Sequence, residues 1–233
     1  MERLDKRLAA TGRWSRKEAR ELIRAGRVTI DGQCARAPEQ KVGDEAVAVD
    51  GVPLEGDSAV YLMLHKPGGM VSATEDTREK TVLSLLPEQY QKQGVFPVGR
   101  LDKDTEGLLL LTNDGPLAHR LLSPKNHVDK VYYAQVDGIL NQEDCEAFHC
   151  GVTLADGYTC LPAGLELLEG GRAALVTVRE GKYHQVKRML AARGKPVTYL
   201  KRVRFGPLVL DSGLEKGRWR ALTEEEKSSL FRH

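Results

Sequence analysis

Four consecutive leucines, Leu108–Leu111, constrain the fold of this 233-residue chain more than any other feature. They lie in the stretch GRLDKDTEGLLLLTNDG, residues 99–115, with glycine and polar turn residues on both sides. A short apolar run between turn signals is typical of a strand buried on both faces. We therefore predict an inner strand at 107–112 that anchors the loop before it.

That loop carries acidic side chains at alternate positions, Asp102, Asp104 and Glu106. A calcium loop starting at Asp102 would need a bidentate glutamate at its twelfth position, which is Asn113 here. The leucines also stand where a hydrated loop should continue, so calcium is disfavoured. These residues alone leave two interpretations open: an exposed acidic turn, or a loop that holds one carboxylate for chemistry.

Strand and helix signals are interspersed along the remaining chain. Helix signals occur at 116–122, 141–150, 183–193 and 223–231, with Asn141 and Thr223 as N-caps. Further strand signals occur at 60–64, 95–98, 131–137, 173–179 and 197–205. Because the order lacks a regular βαβ rhythm, we expect an α+β fold with a mixed or antiparallel sheet.

The N-terminal residues indicate a separate small module. Leu4 and Leu8 have helical spacing, and Gly12 is predicted to end that helix. Ser15 and Glu18 form a capping box that opens a second helix. The segments RVTIDGQCA and DEAVAVDG then predict short strands.

A polar stretch at 51–59, containing glycine and proline, is the predicted linker. The domain boundaries expected from these patterns are 1–57 and 58–233.

The small net charge of +2 conceals two basic segments. Residues 1–27 carry nine Lys or Arg against four acids, and residues 181–204 carry eight basic residues and no acid. Such segregation in a nearly neutral chain indicates a polyanionic partner.

The chain carries no apolar run near the roughly 18 residues of a membrane span, and its charged N-terminus does not resemble a signal peptide. We therefore expect a cytoplasmic protein with reduced cysteines. Cys145, His149 and Cys150 fit no common zinc spacing, so we expect no metal site.

The N-terminal module resembles the RNA-binding domain of ribosomal protein S-four, also called the alpha-L motif. The matching segments are RLDKRLA, SRKEARELIRAGRVTIDG and VAVDG. The resemblance implies binding to structured RNA and says nothing of catalysis.

The whole chain resembles a pseudouridine synthase of the RsuA type. Four motifs occur in the family's order: HKPGGMVS, GRLD followed by T-x-G, K-x-Y, and EGxxHQVKRM. The resemblance assigns the catalytic aspartate to Asp102, an aromatic platform to Tyr132, and the basic partner of the aspartate to Lys187. His65 departs from the family, which often has Asn there.

What the resemblance implies is isomerisation of uridine to pseudouridine, with Asp102 attacking the sugar or removing a proton from it. Burial disfavours an ionised carboxylate and a nearby cation favours it, which suits Lys187 as a companion. The target nucleotide must leave the base stack, and Tyr132 would support the flipped base. The substrate supplies every atom, so no cofactor is expected.

Basic residues of both segments and of the motifs are expected to contact RNA. They are Arg13, Arg16, Lys17, Arg20, Arg24, Arg27, Lys66, Arg100, His184 and Arg188. The motif YHQVKRM resembles that of the small-subunit enzyme, so the expected partner of a monomeric chain is small-subunit rRNA or a ribosome-assembly intermediate.

Three alternatives remain: a related enzyme acting on large-subunit rRNA, a non-catalytic RNA-binding assembly protein, and a glycoside or nucleoside hydrolase. A hydrolase usually needs two carboxylates.

Overall fold

The computed structural model describes residues 1–11, 13–43, 45–54 and 59–232. The predicted domain boundary at 57/58 and the predicted helix end at Gly12 lie outside these ranges. Contacts divide the chain into two compact units. One consists of Met1–Val60, Leu86–Phe96 and Thr112–Asp114, and the other of Tyr61–Leu85, Pro97–Leu111 and Gly115–His233.

The first unit packs two helices and short strands around one apolar core. In chain order its elements are β1 (Glu2–Arg3), α1 (Leu4–Ala10), α2 (Arg16–Arg24), β2 (Val28–Ile30), β3 (Gln33–Cys34), β4 (Lys41–Val42), β5 (Val47–Val49) and β6 (Val52–Pro53). Strands β3-β2-β5-β6 form a sheet, and β1 pairs with β4. Ala19, Leu22 and Ile23 of α2 are buried, since a spacing of three and four residues puts them on one face of the helix.

The second unit is built on a mixed sheet. The remaining elements are β7 (Tyr61–Lys66), α3 (Glu88–Lys92), β8 (Phe96–Pro97), β9 (Glu106–Thr112), α4 (Gly115–Leu122), β10 (Lys130–Val136), α5 (Gln142–Cys150), β11 (Gly164–Leu168), β12 (Ala173–Val178), α6 (Gln185–Ala192), β13 (Val197–Phe205), β14 (Leu208–Val209), β15 (Trp219–Ala221) and α7 (Glu224–Arg232). Of these, α3 belongs to the first unit. Short 3-10 helices lie at Val82–Leu85, Pro124–Asn126 and Glu169–Gly171.

The sheet order within the described ranges is β11-β12-β10-β13-β9-β7-β15, with β14 beside β13 and β8 beside β9. The pairing of β13 with β9 is parallel, whereas the β10–β12, β10–β13 and β7–β15 pairings are antiparallel. The expected α+β fold with a mixed sheet is therefore confirmed. The four leucines lie in β9 and are fully buried, as the run predicts.

Glycine at position 107 is required by the approach of β9 to β13. The parallel pairing covers Glu106↔Lys201 and Gly107↔Arg202. Gly107 has φ +106°, and a Cβ added there would lie 2.2 Å from the Arg202 carbonyl oxygen. Any side chain would therefore push these strands apart at the end of the acidic loop.

None of the helices in the described ranges combines the length and the apolar character needed to cross a membrane.

Candidate active site

The second unit contains a cavity of about 510 Å³. Its wall combines apolar side chains with many basic groups. The polar and aromatic lining residues include Arg100, Asp102, Thr105, His127, Lys130, Tyr132, Arg179, Glu180, Lys182, His184, Gln185 and Arg202. A cavity of this size suits one nucleotide-sized ligand.

The Asp102 loop is fixed by hydrogen bonds on both sides of the aspartate. Ser72 Oγ donates to the Leu101 carbonyl at 3.0 Å and accepts from the Leu101 N–H at 3.1 Å. The Thr105 N–H donates to the Asp102 carbonyl at 3.0 Å, closing a turn. These bonds hold the carboxylate in place before any ligand binds.

Lys66 is part of this support. Its side chain is fully buried at the end of β7. Its ammonium donates to the carbonyls of Pro67, Lys103 and Thr105 at 3.0, 3.0 and 2.8 Å. Burial lowers the pKa of Lys66 to about 8, against the opposing effect of nearby carboxylates. The expectation that Lys66 contacts RNA does not fit this position, because the ammonium is enclosed and its three hydrogens are used.

Two basic side chains approach Asp102. His184 Nε2 lies 3.6 Å from Asp102 Oδ1, and Lys187 Nζ lies 3.5 Å from Asp102 Oδ2. The Asp102 side chain is 27% exposed, so it faces the cavity without being isolated from solvent. The predicted proximity of Lys187 and Asp102 is thus present, with His184 added to it.

Lys187 also contacts a second carboxylate. Its ammonium donates to Asp104 Oδ1 at 2.5 Å, closer than its approach to Asp102. This hydrogen bond lowers the pKa of Asp104, against a smaller desolvation effect. Asp104 is exposed, as an acidic turn residue should be, but it shares the cation assigned to Asp102.

Glu106, the third acid of the loop, is largely buried, unlike a residue of an exposed acidic turn. Its side chain is 15% exposed and accepts hydrogen bonds from Tyr199 Oη at 2.6 Å and Lys216 Nζ at 2.7 Å. Burial raises the pKa of Glu106, but these hydrogen bonds outweigh it and the net pKa is lowered. Burial, together with the hydrogen bond to Glu106, raises the pKa of Tyr199.

The helix carrying Lys187 begins at Gln185, two residues later than predicted. His184 precedes it in the left-handed conformation, with φ 49° and ψ 34°. Lys187 and His184 both turn toward Asp102, whereas Arg188 Nη2 pairs with Asp156 Oδ2 at 2.5 Å. Arg188, the residue after Lys187, therefore pairs with a different carboxylate.

Tyr132 lines the cavity from β10 and packs against the core of the unit. Tyr133, the next residue, packs edge-on against Tyr199 instead. This difference follows from the alternation of side chains along a strand. Tyr132 is thus available as a platform beside Asp102, whereas Tyr133 is not a lining residue.

Two buried cations lie near Tyr132 in the sheet, one on its own strand and one on the neighbouring strand. Arg202 of β13 is the cross-strand partner of Tyr132, and Lys130 lies two residues before Tyr132 on β10. Arg202 is 2% exposed; its Nε donates to the Leu108 carbonyl at 2.8 Å, and its Nη2 has no hydrogen-bond partner in the described part of the chain. Burial, with a further contribution from Arg202, lowers the pKa of Lys130 to about 8.

The K-x-Y motif includes Lys130, and residues two apart on a strand share a face, but the sequence analysis gave Lys130 no role and did not single out Arg202. The Thr105 hydroxyl, which also lines the cavity, likewise forms no hydrogen bond within the described ranges.

The N-terminal basic residues belong to the first unit and divide into two groups. Arg20 Nε donates to Asp5 Oδ2 at 2.9 Å, and Arg16 Nη2 lies 3.7 Å from Asp5 Oδ1. Arg27 pairs with Asp50 at 2.5 Å. The exposed side chains of Arg13, Lys17 and Arg24 form no ion pair in the described ranges.

Arg100 is exposed and lines the cavity. It is therefore placed to meet a ligand, unlike Lys66.

Together, a carboxylate between two basic groups, an adjacent aromatic ring and further cations define a site for an enzyme that acts on a nucleotide. The accompanying small unit with exposed basic side chains suits a nucleic-acid substrate.

Comparison with known proteins identifies the family. The family model of RNA pseudouridylate synthases matches residues 60–192, and that of the S4 domain matches residues 2–51. An uncharacterized RNA pseudouridine synthase of Bacillus subtilis, YtzG, is 47% identical over 229 residues, covering 96% of each chain. The chain belongs to the RNA pseudouridylate synthase family, and the expected isomerase class is confirmed.

Two further matches agree with this family. The ribosomal small subunit pseudouridine synthase A of Escherichia coli K12 is 41% identical and covers 98% of this chain and 99% of its own. A crystal structure of a pseudouridylate synthase superposes with a TM-score of 0.70 at 35% identity, covering 99% of this chain and all of the other.

Proposed function

We propose that this chain isomerises a uridine of small-subunit rRNA to pseudouridine, with Asp102 acting at the sugar of a nucleotide flipped into the cavity. The observation that carries the proposal is the position of Asp102 on the cavity wall, within 3.6 Å of His184 and 3.5 Å of Lys187. Family membership supplies the reaction. The relatives named for the small ribosomal subunit, aligned over nearly the full chain, support the substrate.

The reaction rearranges bonds without adding atoms. The bond from sugar C1′ to base N1 breaks, the base turns, and C1′ joins C5; a proton leaves C5 and one is gained at N1. Asp102 either attacks C1′ or removes a sugar proton, and the proposal includes both routes. Either route requires an ionised carboxylate, and Lys187 is the cation that lies close to it.

The other lining residues suit the flipped base. Tyr132 offers a ring face, and stacking a base on an aromatic side chain is worth roughly 1–3 kcal/mol. Apolar neighbours such as Leu200 and Val186 would exclude water from the base.

RNA outside the cavity would be held by exposed cations. Arg13, Lys17 and Arg24 of the first unit suit phosphate contacts, as does Arg100 at the cavity. In this proposal residues 1–57 bind the RNA and residues 58–233 catalyse the isomerisation. The chain acts as a monomer in the cytoplasm on rRNA or on a ribosome-assembly intermediate.

The test expresses the chain in an Escherichia coli strain that lacks its own relative. Pseudouridine is then mapped in both rRNAs by carbodiimide labelling and primer extension. We expect one new pseudouridine in small-subunit rRNA with the unchanged chain. Asp102→Asn, which keeps size and removes charge, should yield none while remaining folded and RNA-bound.

Other results would select other functions. Pseudouridine in large-subunit rRNA would favour the related enzyme of that specificity. RNA binding without pseudouridine would favour an assembly protein, and free uracil would indicate a hydrolase. If the activity of Asp102→Asn stayed within tenfold of that of the unchanged chain, Asp102 would not be the catalytic carboxylate.

A further inference from the structure

Tyr183 is an unusually exposed aromatic residue next to the candidate active site. It is 75% exposed, the largest fraction among the exposed aromatic side chains of the described ranges. Its ring is stacked on that of His184, with centroids 3.8 Å apart and planes inclined by 16°. One face of the tyrosine ring is therefore covered by histidine, and its exposure leaves the other face open.

The stack is joined directly to the cavity. His184 lines the cavity, and its Nε2 lies 3.6 Å from Asp102 Oδ1. Tyr183 therefore stacks on His184, the side chain that approaches the candidate catalytic carboxylate of Asp102. A ligand lying on the open face of Tyr183 would be next to the entering nucleotide.

The backbone and the surrounding charge also suit this use. His184 has φ 49°, a left-handed conformation that is uncommon for residues other than glycine and that clusters at functional sites. Lys182, immediately before Tyr183, is exposed, with its Nζ 4.7 Å from the centroid of the Tyr158 ring. Arg188 Nη1 lies 3.5 Å from the Tyr183 carbonyl oxygen, and its Nη2 pairs with Asp156. Basic residues near an exposed ring favour an RNA strand over an apolar partner.

We propose that Tyr183 stacks on an RNA base adjacent to the nucleotide that is flipped into the cavity. Extruding a nucleotide leaves its neighbours without a stacking partner. Unstacked RNA bases are commonly received by aromatic side chains, whose flat faces accept any base. The open face of Tyr183 would replace the lost stacking partner, and the His184 ring would lie against the other face of Tyr183. The inference rests on the proposed function and adds to it a contact outside the cavity.

The first experiment compares Tyr183→Phe, Tyr183→Leu and Tyr183→Ala in the full-length protein. The readout is kcat/KM for pseudouridine formation in small-subunit rRNA. Alanine should lower it by roughly 5- to 150-fold, the range for one lost base stack. Phenylalanine should stay near the unchanged protein, and leucine should fall between them. Ile139→Ala, which removes another exposed apolar side chain, is the matched control and should have no effect.

Two results would overturn the proposal. One is a Tyr183→Ala protein within twofold of the unchanged protein. The other is an equal loss in the phenylalanine and alanine variants, which would mean that the hydroxyl and not the ring is needed. Because Tyr183 is so exposed, circular dichroism of the variants should match that of the unchanged protein.

A second measurement works even if no pseudouridine is formed in any RNA. Short single-stranded RNAs containing 2-aminopurine are titrated with each protein, since stacking quenches the fluorescence of this base. Quenching by the unchanged and Tyr183→Phe proteins, with weaker quenching by Tyr183→Ala, would support the stacking site. Equal quenching by all three would refute it, whatever the outcome for the enzymatic activity.

Discussion

Lys187 lies between two carboxylates, and this arrangement gives the first residue-scale prediction. Its Nζ is 2.5 Å from Asp104 and 3.5 Å from Asp102. We expect Lys187→Ala to lose most of its turnover, because the carboxylate of Asp102 loses a close cation. The measurement is the single-turnover rate of pseudouridine formation.

Asp104→Asn is the matched control for that variant. It removes the competing carboxylate and leaves Lys187 facing Asp102, so turnover should remain within a few-fold of the unchanged protein. RNA affinity should change little in either variant. A Lys187→Ala protein with normal turnover and a reduced salt dependence of binding would instead make Lys187 a phosphate contact.

The sequence placed some candidate site residues together and misplaced others for a physical reason. The family resemblance assigned Asp102, Tyr132 and Lys187 to one site; Asp102 and Tyr132 line the cavity, and Lys187 lies 3.5 Å from Asp102. The sequence could not reveal that Lys66 is enclosed by three carbonyls. It also missed Arg202, because its burial depends on pairing between β10 and β13, which lie far apart in the chain.

Helices α1 and α2 are joined through one buried acid, Asp5. Arg3 and Arg20 donate to it, and Arg16 lies nearby. The Arg3 hydrogen bond, assisted by that of Arg20, lowers the pKa of Asp5 from 3.8 to about 2, although burial opposes the shift. The folded state therefore binds this proton less readily than the unfolded chain.

An acid-stability prediction follows for this unit. Because the folded pKa lies below the unfolded one, the stabilisation is present above about pH 5 and is lost as the pH falls from 3.8 through 2. We expect Asp5→Asn to lower the unfolding free energy at pH 7 by about 2 kcal/mol and to differ less from the parent near pH 2.

The measurement uses urea unfolding followed by Trp14 fluorescence, with Trp219→Phe as the common background. Trp14 packs against the first unit's core, so it reports that unit. Glu21→Gln, an exposed acid on α2, is the control and should change little. A constant difference between Asp5→Asn and its parent from pH 7 to pH 2 would contradict the assignment.

The exposed face of α2 gives the next element-scale prediction. Arg24 is exposed and unpaired within the described ranges, so Arg24→Ala should reduce the slope of log affinity against log salt by about 0.7–0.9 and leave stability unchanged. Arg20→Ala should instead lower stability by about 1–3 kcal/mol, because it removes a hydrogen bond to a buried carboxylate. RNA titrations at several salt concentrations check the slopes. Unchanged salt dependence of Arg24→Ala would exclude the contact.

Elements with local signals were predictable, and elements that depend on distant pairing were not. The capping boxes at Ser15, Asn141 and Thr223 are all formed. By contrast, β11 is a partly exposed strand without clear alternation, and it is defined by its pairing with β12. The short strand β15 is likewise defined by pairing with β7, about 150 residues earlier in the sequence.

At the scale of the whole molecule, the proposed division into an RNA-binding part and a catalytic part predicts how a fragment of the catalytic part binds RNA. Every residue that lines the cavity belongs to the second unit. A protein of residues 58–233 should therefore retain the cavity but bind rRNA much more weakly. Segments 86–96 and 112–114 are grouped with the first unit, so we also expect lower stability. Circular dichroism and RNA titration provide the check; undiminished affinity would reject the division.

The glycine of the T-x-G motif is explained by the contact between β9 and β13. Alanine at position 107 would put its β-carbon 2.2 Å from the Arg202 carbonyl oxygen. The motif thus combines two kinds of requirement, since Asp102 is proposed for its chemistry and Gly107 is needed for its lack of a side chain. If only folding is required and activity is not, position 107 should still tolerate no other residue, whereas position 102 should accept many substitutions. A glycine found at this place in a newly sequenced chain is consequently evidence of the architecture, and carries no information about whether that chain is still an enzyme.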